Sequence, residues 1–138
     1  MHYIFKFKKE KVEDGWALRP RIKIALVYKE KLRNVMAVID TGSDLNYIPT
    51  DLMEYFGLPL SSEEFTAQGA EQKFNYKTSK IYAKLDNPHK SFRKLIKVMI
   101  PVKTSLHKDV ILGTDFLQDF ILTLDYKKGA IKLAENKN

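Results

Sequence analysis

The residues with the clearest chemical potential are Asp40-Thr41-Gly42-Ser43, which follow an almost wholly apolar run at residues 35–39. A carboxylate at the end of an apolar strand is costly to bury unless it is paired or functional. Gly42 lets the backbone turn tightly, and Thr41 and Ser43 add hydroxyl groups beside the carboxylate. The segment therefore predicts a stiff loop that presents a single carboxylate.

A single carboxylate is a poor hydrolytic catalyst, whereas two carboxylates about 3 Å apart share one proton because both cannot ionise at that distance. One of them can then activate a water molecule as a base while the other donates a proton to a carbonyl oxygen. Asp-Thr-Gly occurs once in the 138 residues. A pair of this kind would therefore require a second copy of the chain, related by a twofold axis.

The elements that must position this loop are mainly short strands separated by turns, a pattern that favours an all-β, small closed β-barrel. Turns are predicted at residues 13–15 and 86–88, and a polar connection at residues 29–34. A short helix is predicted over residues 50–56, ended by Gly57, with a helical turn near residues 114–119. The predicted strands are residues 3–8, 21–28, 35–39, 74–78, 81–85, 92–101, 110–113, 121–126 and 130–133.

Three separated features resemble the retropepsin-like (retroviral-type) aspartic proteases. Ala37-Val38-Ile39-Asp40-Thr41-Gly42-Ser43 looks like the apolar strand and active-site turn of that family. Ile111-Leu112-Gly113 is similar to the motif that packs beneath the turn, and the following Thr114-Asp115-Phe116-Leu117 resembles the family's short C-terminal helix. Ala67-Gln68-Gly69-Ala70 lies where the family places its mobile flap. The resemblance extends over residues 21–133.

The resemblance implies a retropepsin-type barrel with one or two short helices, acting as a homodimer on peptide or protein substrates. Residues 1–138 would form one domain. Residues 1–19 match nothing in the family pattern, and their role is left open between an extra strand, a dimer arm and a substrate-binding feature. The implied activity is that of an aspartic endopeptidase, and no metal or organic cofactor is implied.

The resemblance also assigns roles at the turn and the flap. Asp40 would be the catalytic carboxylate, and Gly42 would keep the turn tight. Thr41 would hydrogen-bond across the dimer axis, and Ser43 would orient the Asp40 carboxylate. The backbone groups of three flap residues would close over a bound peptide: Gln68, Gly69 and Ala70.

Charge is partitioned along the chain. The formal net charge is +7, from 24 Lys and Arg against 17 Asp and Glu. The stretch of residues 38–72 contains no cation and carries −7, so that the remainder carries +14 by difference. If the barrel is correct, this cation-free stretch supplies the turn, the following helix and half of the flap. Its seven carboxylates belong to Asp40, Asp44, Asp51, Glu54, Glu63, Glu64 and Glu71.

Composition excludes several other classes of protein. Without cysteine the chain has no disulfide framework, thiol nucleophile or cysteine-rich zinc site. The apolar runs are too short to span a membrane, and residues 1–6 lack the apolar stretch of a signal peptide. The pattern favours a soluble, cytoplasmic protein that does not interact with membranes. His2, His89 and His107 lack ligand spacing and are interpreted as surface residues.

Two other functions are compatible with the same residues. One is a catalytically silent retropepsin-like module kept for dimerisation or peptide binding. The other is a small basic β-barrel that binds nucleic acid, with aromatic and basic residues interleaved over residues 74–84. The intact Asp40-Thr41-Gly42-Ser43 turn favours the enzyme, because a silent module has no need of the carboxylate. Trp16 is either a loop anchor or part of an interface.

Overall fold

The computed structural model describes residues 2–68, 73–87, 89–103 and 108–137. Two short helices accompany the strands: α1 (Thr50–Phe56) and α2 (Thr114–Leu117). The strands are β1 (His2–Lys6), β2 (Lys8–Val12), β3 (Gly15–Arg19), β4 (Arg21–Tyr28), β5 (Lys31–Ile39), β6 (Asn46–Tyr47), β7 (Phe65–Gln68), β8 (Lys73–Asp86), β9 (Ser91–Pro101), β10 (Val110–Leu112), β11 (Phe120–Asp125) and β12 (Ala130–Glu135).

Six strands form a closed barrel in the order β4-β5-β10-β6-β9-β8, because β8 pairs with β4 as well as with β9. Most neighbours are antiparallel, but β10 runs parallel to β5 and β6 runs parallel to β9. Strand β7 extends the sheet from the outer edge of β8. The predicted all-β barrel with two short helices is confirmed.

Alternating apolar residues account for the barrel core. Along β4 the side chains of Ile22, Ile24 and Leu26 are buried, and along β8 those of Ile81 and Leu85 are buried in the same way. This period-2 burial is what a strand with one dry face requires. The interior is closed by α2, whose Phe116 is fully buried. No helix among the described residues is both long and apolar enough to cross a membrane.

A second sheet joins the two ends of the chain in the order β1-β12-β11. Tyr3 lies opposite Leu133, and both side chains are buried. The Tyr3 ring also packs edge-on against Phe120, with centroids 6.5 Å apart. Part of residues 1–19 is therefore a strand of the folded chain.

The sequence prediction was wrong at the connection between β4 and β5. Residues 29–34 were predicted as a polar connection, but the turn occupies only Lys29 and Glu30, and β5 begins at Lys31. Side chains 31–34 are exposed while their backbone pairs with β4, so that no apolar alternation marks the strand. For Trp16 the sequence left a loop anchor and an interface open, and its place within strand β3 excludes the loop.

Other predicted elements agree closely with the structure. Strand β4 has the predicted bounds, and α1 spans the predicted residues. Gly57 ends α1 in the left-handed conformation, with φ of 67°, which a glycine adopts without strain. The helical turn near residues 114–119 is α2, and residues 127–129 connect β11 to β12 as a hairpin.

Candidate active site

The candidate active site is the loop that connects β5 to β6. Strand β5 ends at Ile39, which is 5% exposed, and the chain then emerges at the surface. In the single chain, Asp40, Thr41 and Gly42 are exposed, and Ser43 is half-buried. The Asp40 carboxylate is therefore not buried within its own chain. Among the residues that the structure describes, it takes part in no ion pair.

Backbone hydrogen bonds fix the start of this loop. The Asp40 N–H donates to the Leu112 carbonyl oxygen at 3.0 Å, and the Ser43 N–H donates to the Asp40 carbonyl oxygen at 3.2 Å. The Gly42 N–H donates to Asp40 Oδ1 at 3.0 Å, so the turn itself orients the carboxylate. These bonds connect the carboxylate to a buried strand on one side and to its own turn on the other.

Ser43 does not make the contact expected of it. Its hydroxyl donates to the Leu45 carbonyl oxygen at 2.8 Å, and the carboxylate is held by the Gly42 N–H instead. Ser43 therefore supports the shape of the loop and leaves the Asp40 side chain free on its outer side. Thr41 is exposed beside it.

The Ile111-Leu112-Gly113 segment lies beneath the turn. Strand β10 runs parallel to β5, with Ile111 opposite Val38 and Leu112 opposite Ile39. Gly113 then passes directly under the loop. A Cβ atom at this position would lie 2.4 Å from the Ser43 carbonyl oxygen and 2.3 Å from that of Leu45. Its φ of −97° is open to any residue, so the requirement for glycine is steric.

Two further backbone contacts join the loop to α2. The Thr114 N–H donates to the Ser43 carbonyl oxygen at 2.8 Å, and the Asp115 N–H donates to the Asp44 carbonyl oxygen at 3.2 Å. The turn, β10 and the start of α2 are thus one hydrogen-bonded unit. Such a unit can hold a reactive group in place without cost at the moment of reaction.

Asn46 is a site residue that the sequence interpretation missed. Its side chain is 1% exposed and uses every polar atom. It donates to the Lys97 carbonyl oxygen at 2.9 Å and to Asp115 Oδ2 at 2.7 Å, and it accepts from the Gly113 N–H at 3.0 Å. The signal was an asparagine within the otherwise apolar Leu45-Asn46-Tyr47-Ile48, since a buried amide needs partners.

A second missed group lies at the other side of β5. Arg21 opposes Val38, and its guanidinium donates twice to the Glu10 carboxylate, at 2.6 and 3.0 Å. It also donates to Asp109 Oδ1 at 3.0 Å. The hydrogen bond from Arg21 lowers the pKa of Glu10, and the same bond raises the pKa of Arg21. This cluster joins the N-terminal segment to the barrel next to the candidate site.

The flap is described only in part. Gln68 is the last residue of β7, whose pairing with β8 forms the two arms of a hairpin. Gly69 and Ala70 lie outside the described residues. Close to the base of this hairpin, Tyr76 of β8 packs edge-on against Tyr47 of β6, with ring centroids 5.3 Å apart. Burial raises the pKa of the Tyr76 hydroxyl.

The described residues contain no group of three or more His, Asp or Glu side chains placed to hold a metal ion. The turn presents an exposed carboxylate on a backbone that is fixed by hydrogen bonds. A second carboxylate brought against it would create the proton-sharing pair described above.

Comparison with known proteins identifies the fold. The chain resembles the crystal structure of a retropepsin-like aspartic protease from Rickettsia conorii, with 19% identity, a TM-score of 0.57, and coverage of 96% of this chain and 90% of that one. It also resembles the EIAV protease complexed with the inhibitor HBY-793, with 16% identity, a TM-score of 0.50, and coverage of 73% and 86%. No protein-family model and no curated protein matches the sequence.

The fold is therefore retropepsin-like, and the resemblance inferred from the sequence is confirmed at that level. At such low identity the likeness establishes the fold alone.

Proposed function

We propose that this chain is an aspartic endopeptidase that works as a C2 homodimer. Each protomer contributes one Asp40, and the two carboxylates share a proton across the twofold axis. One carboxylate activates a water molecule as a base while the other protonates the carbonyl oxygen of the scissile peptide bond. Thr41 of each turn hydrogen-bonds across the axis, and the flap residues Gln68, Gly69 and Ala70 cover the bound peptide.

The observation that carries the proposal is the exposed carboxylate of Asp40 on a backbone turn that is held from three sides. Backbone hydrogen bonds to Leu112 and to α2 fix the loop, and the Asp40 carboxylate accepts one hydrogen bond from the Gly42 N–H but takes part in no ion pair among the described residues. A rigid support beneath an unpaired acidic group fits a catalytic role better than a structural one. Exposure of Thr41 next to it leaves the same surface available to a second copy.

The first test replaces the ionisable carboxylate of Asp40 by an amide of the same shape. Asp40→Asn should lower the cleavage of an unstructured protein such as casein by more than about 10³-fold, because each half of the pair loses its acid–base member. Its circular dichroism, urea midpoint and sedimentation should match those of the wild type. Pepstatin should inhibit wild-type cleavage.

Glu54→Gln is the matched control. It removes one exposed carboxylate from the same cation-free stretch, on α1, and should leave cleavage unchanged. Cleavage by Asp40→Asn near the wild-type rate would refute the mechanism. A folded, dimeric wild type that cleaves no substrate between pH 4 and pH 7 would favour the silent module.

A further inference from the structure

The hairpin formed by β2 and β3 stands apart from both sheets. The two strands pair with each other, and no other described strand pairs with either of them. Lys9 lies opposite Leu18 and Lys11 lies opposite Trp16, which places these four side chains on one face. On that face Trp16 is 63% exposed and Leu18 is 45% exposed. The Lys9 ammonium lies 5.2 Å from the centroid of the Trp16 ring.

Two large apolar side chains lie next to each other on a hairpin that joins neither sheet, which is typical of a surface that packs against another protein. A two-stranded hairpin is marginally stable in water unless its face is packed against something else. An exposed tryptophan beside a leucine, with lysines on the same face, has the composition of a protein–protein contact. In such contacts tryptophan often contributes a large part of the binding energy. The opposite face is already engaged, because Glu10 projects from it to Arg21.

The position of the hairpin indicates what covers it. Pro20 connects β3 to β4, and its carbonyl oxygen accepts a hydrogen bond of 2.9 Å from the Ile39 N–H, immediately before Asp40. Strand β4 runs away from this point, so the hairpin joins the barrel at the end that carries the catalytic turn. Five residues of strand extend about 17 Å, and adjacent strands lie about 5 Å apart. A hairpin of this length can reach a second copy that is placed against the Asp40 turn.

The charges of the two surfaces favour a second copy of the chain as the partner that covers the hairpin. The cations Lys9 and Lys11 share the Trp16 face, and no carboxylate lies on that face. The loop after Asp40 carries the exposed Asp44, and α1 carries the exposed Asp51, both within the cation-free stretch. A C2 dimer that brings two Asp40 side chains together also brings the acidic loop of one protomer toward the end of the barrel from which the basic hairpin of the other starts. Opposite charges placed in this way favour association and fix its geometry.

From these observations we infer that the hairpin of residues 8–19 is a dimerisation arm whose Trp16 and Leu18 pack on a second copy of this chain, beside its Asp44 loop. The inference rests on the proposed function, in which the site is incomplete until the second Asp40 arrives. The arm is thereby a condition of activity at low protein concentration, although neither Trp16 nor Leu18 touches the reacting atoms.

The test measures dimerisation separately from catalysis. Sedimentation of Asp40→Asn protein, which does not digest itself, gives the dimer dissociation constant alone and in combination with Trp16→Ala or Leu18→Ala. Trp16→Ala should raise this constant at least about tenfold, which corresponds to about 1.4 kcal/mol. Leu18→Ala should raise it less. In the active protein, Trp16→Ala should lower specific activity at low enzyme concentration and regain it at high concentration.

Leu32→Ala is the matched control, because Leu32 is a leucine of similar exposure, 50%, at the far end of the β4–β5 hairpin. It should leave the dissociation constant unchanged. Trp16 is the only tryptophan in the chain, so its emission reports the arm directly and should shift to shorter wavelength as the protein dimerises.

These measurements distinguish failure of the dimerisation arm from failure of the proposed protease activity. Dimerisation of Trp16→Ala that equals the wild type would overturn the arm while leaving the protease intact, as would a raised KM with an unchanged dissociation constant. A tight dimer that weakens on Trp16→Ala but never cleaves would support the arm and overturn the protease. A wild type that is monomeric at every concentration would overturn the arm. Circular dichroism of Trp16→Ala checks that the barrel is folded.

Discussion

The Asp40 turn and the β2–β3 hairpin are close neighbours that are stabilised in opposite ways. Backbone hydrogen bonds from β10 and α2 hold the turn, and the Asn46 amide accepts a hydrogen bond from the Gly113 N–H. Gly113 also packs closely against the carbonyl oxygens of the loop. The hairpin is held by its own ladder and by the contacts of one arginine, Arg21. The backbone around Asp40 is therefore held by more contacts from neighbouring elements than the hairpin is.

The largest expected effect comes from adding one methyl group beneath the turn. Gly113→Ala places a Cβ against two backbone carbonyl oxygens that cannot move without distorting the loop. We expect a loss of about 3–5 kcal/mol in the free energy of unfolding, at the upper end for point mutations, together with loss of cleavage. Urea unfolding followed by far-UV circular dichroism measures the first quantity.

Gly15→Ala is the corresponding change in the β2–β3 hairpin, and its effect on the free energy of unfolding can be set beside that of Gly113→Ala. Gly15 has a φ of 129°, which strains any other residue, but a Cβ there would meet no atom within 4 Å. The strain should loosen the hairpin without unfolding the barrel, so the urea midpoint should change little. Equal destabilisation by both substitutions would show that the two regions do not differ as described.

Asn46→Ala should have an intermediate effect. The substitution leaves the Gly113 N–H and the Lys97 carbonyl without their partner in a buried position, and it removes a donor from Asp115. We expect a loss of about 2–3 kcal/mol. Asn34→Ala is the control, because this exposed asparagine on β5 should change stability by less than about 0.5 kcal/mol. A loss below 1 kcal/mol for Asn46→Ala would mean that the amide does not support the turn.

The smallest expected effect concerns the pH dependence of the Arg21–Glu10 ion pair, which joins the hairpin to the barrel. Because Arg21 lowers the pKa of Glu10 in the folded state, the pair stabilises above the unfolded pKa of Glu10 and is lost as pH falls through the folded value. Glu10→Gln should therefore lower the hydrogen-exchange protection of residues 8–19 at pH 7, by less than about 1 kcal/mol, and have no effect well below pH 4. Glu13→Gln, in the exposed turn of the same hairpin, should have no effect at either pH.

Much of the fold was predictable because the barrel strands alternate apolar and polar residues, as in β4, and because Gly57 ends α1 as expected. The start of β5 was not, since its exposed side chains carry no periodic signal although the backbone is paired. At the site, the turn and the Ile111-Leu112-Gly113 segment were found from local sequence. Asn46 and Arg21 were missed, because each acts through partners that are distant in sequence, such as Asp115 and Glu10.

The pairing of β1 with β12 has a consequence for how the chain folds. His2 lies opposite Ala134, so this ladder joins two segments that are far apart in the sequence. Contacts between such distant segments carry a large loop-closure cost and slow folding. Before this ladder forms, the Tyr3 ring lacks its contact with Phe120, and the apolar surface exposed in such a partly folded chain favours aggregation.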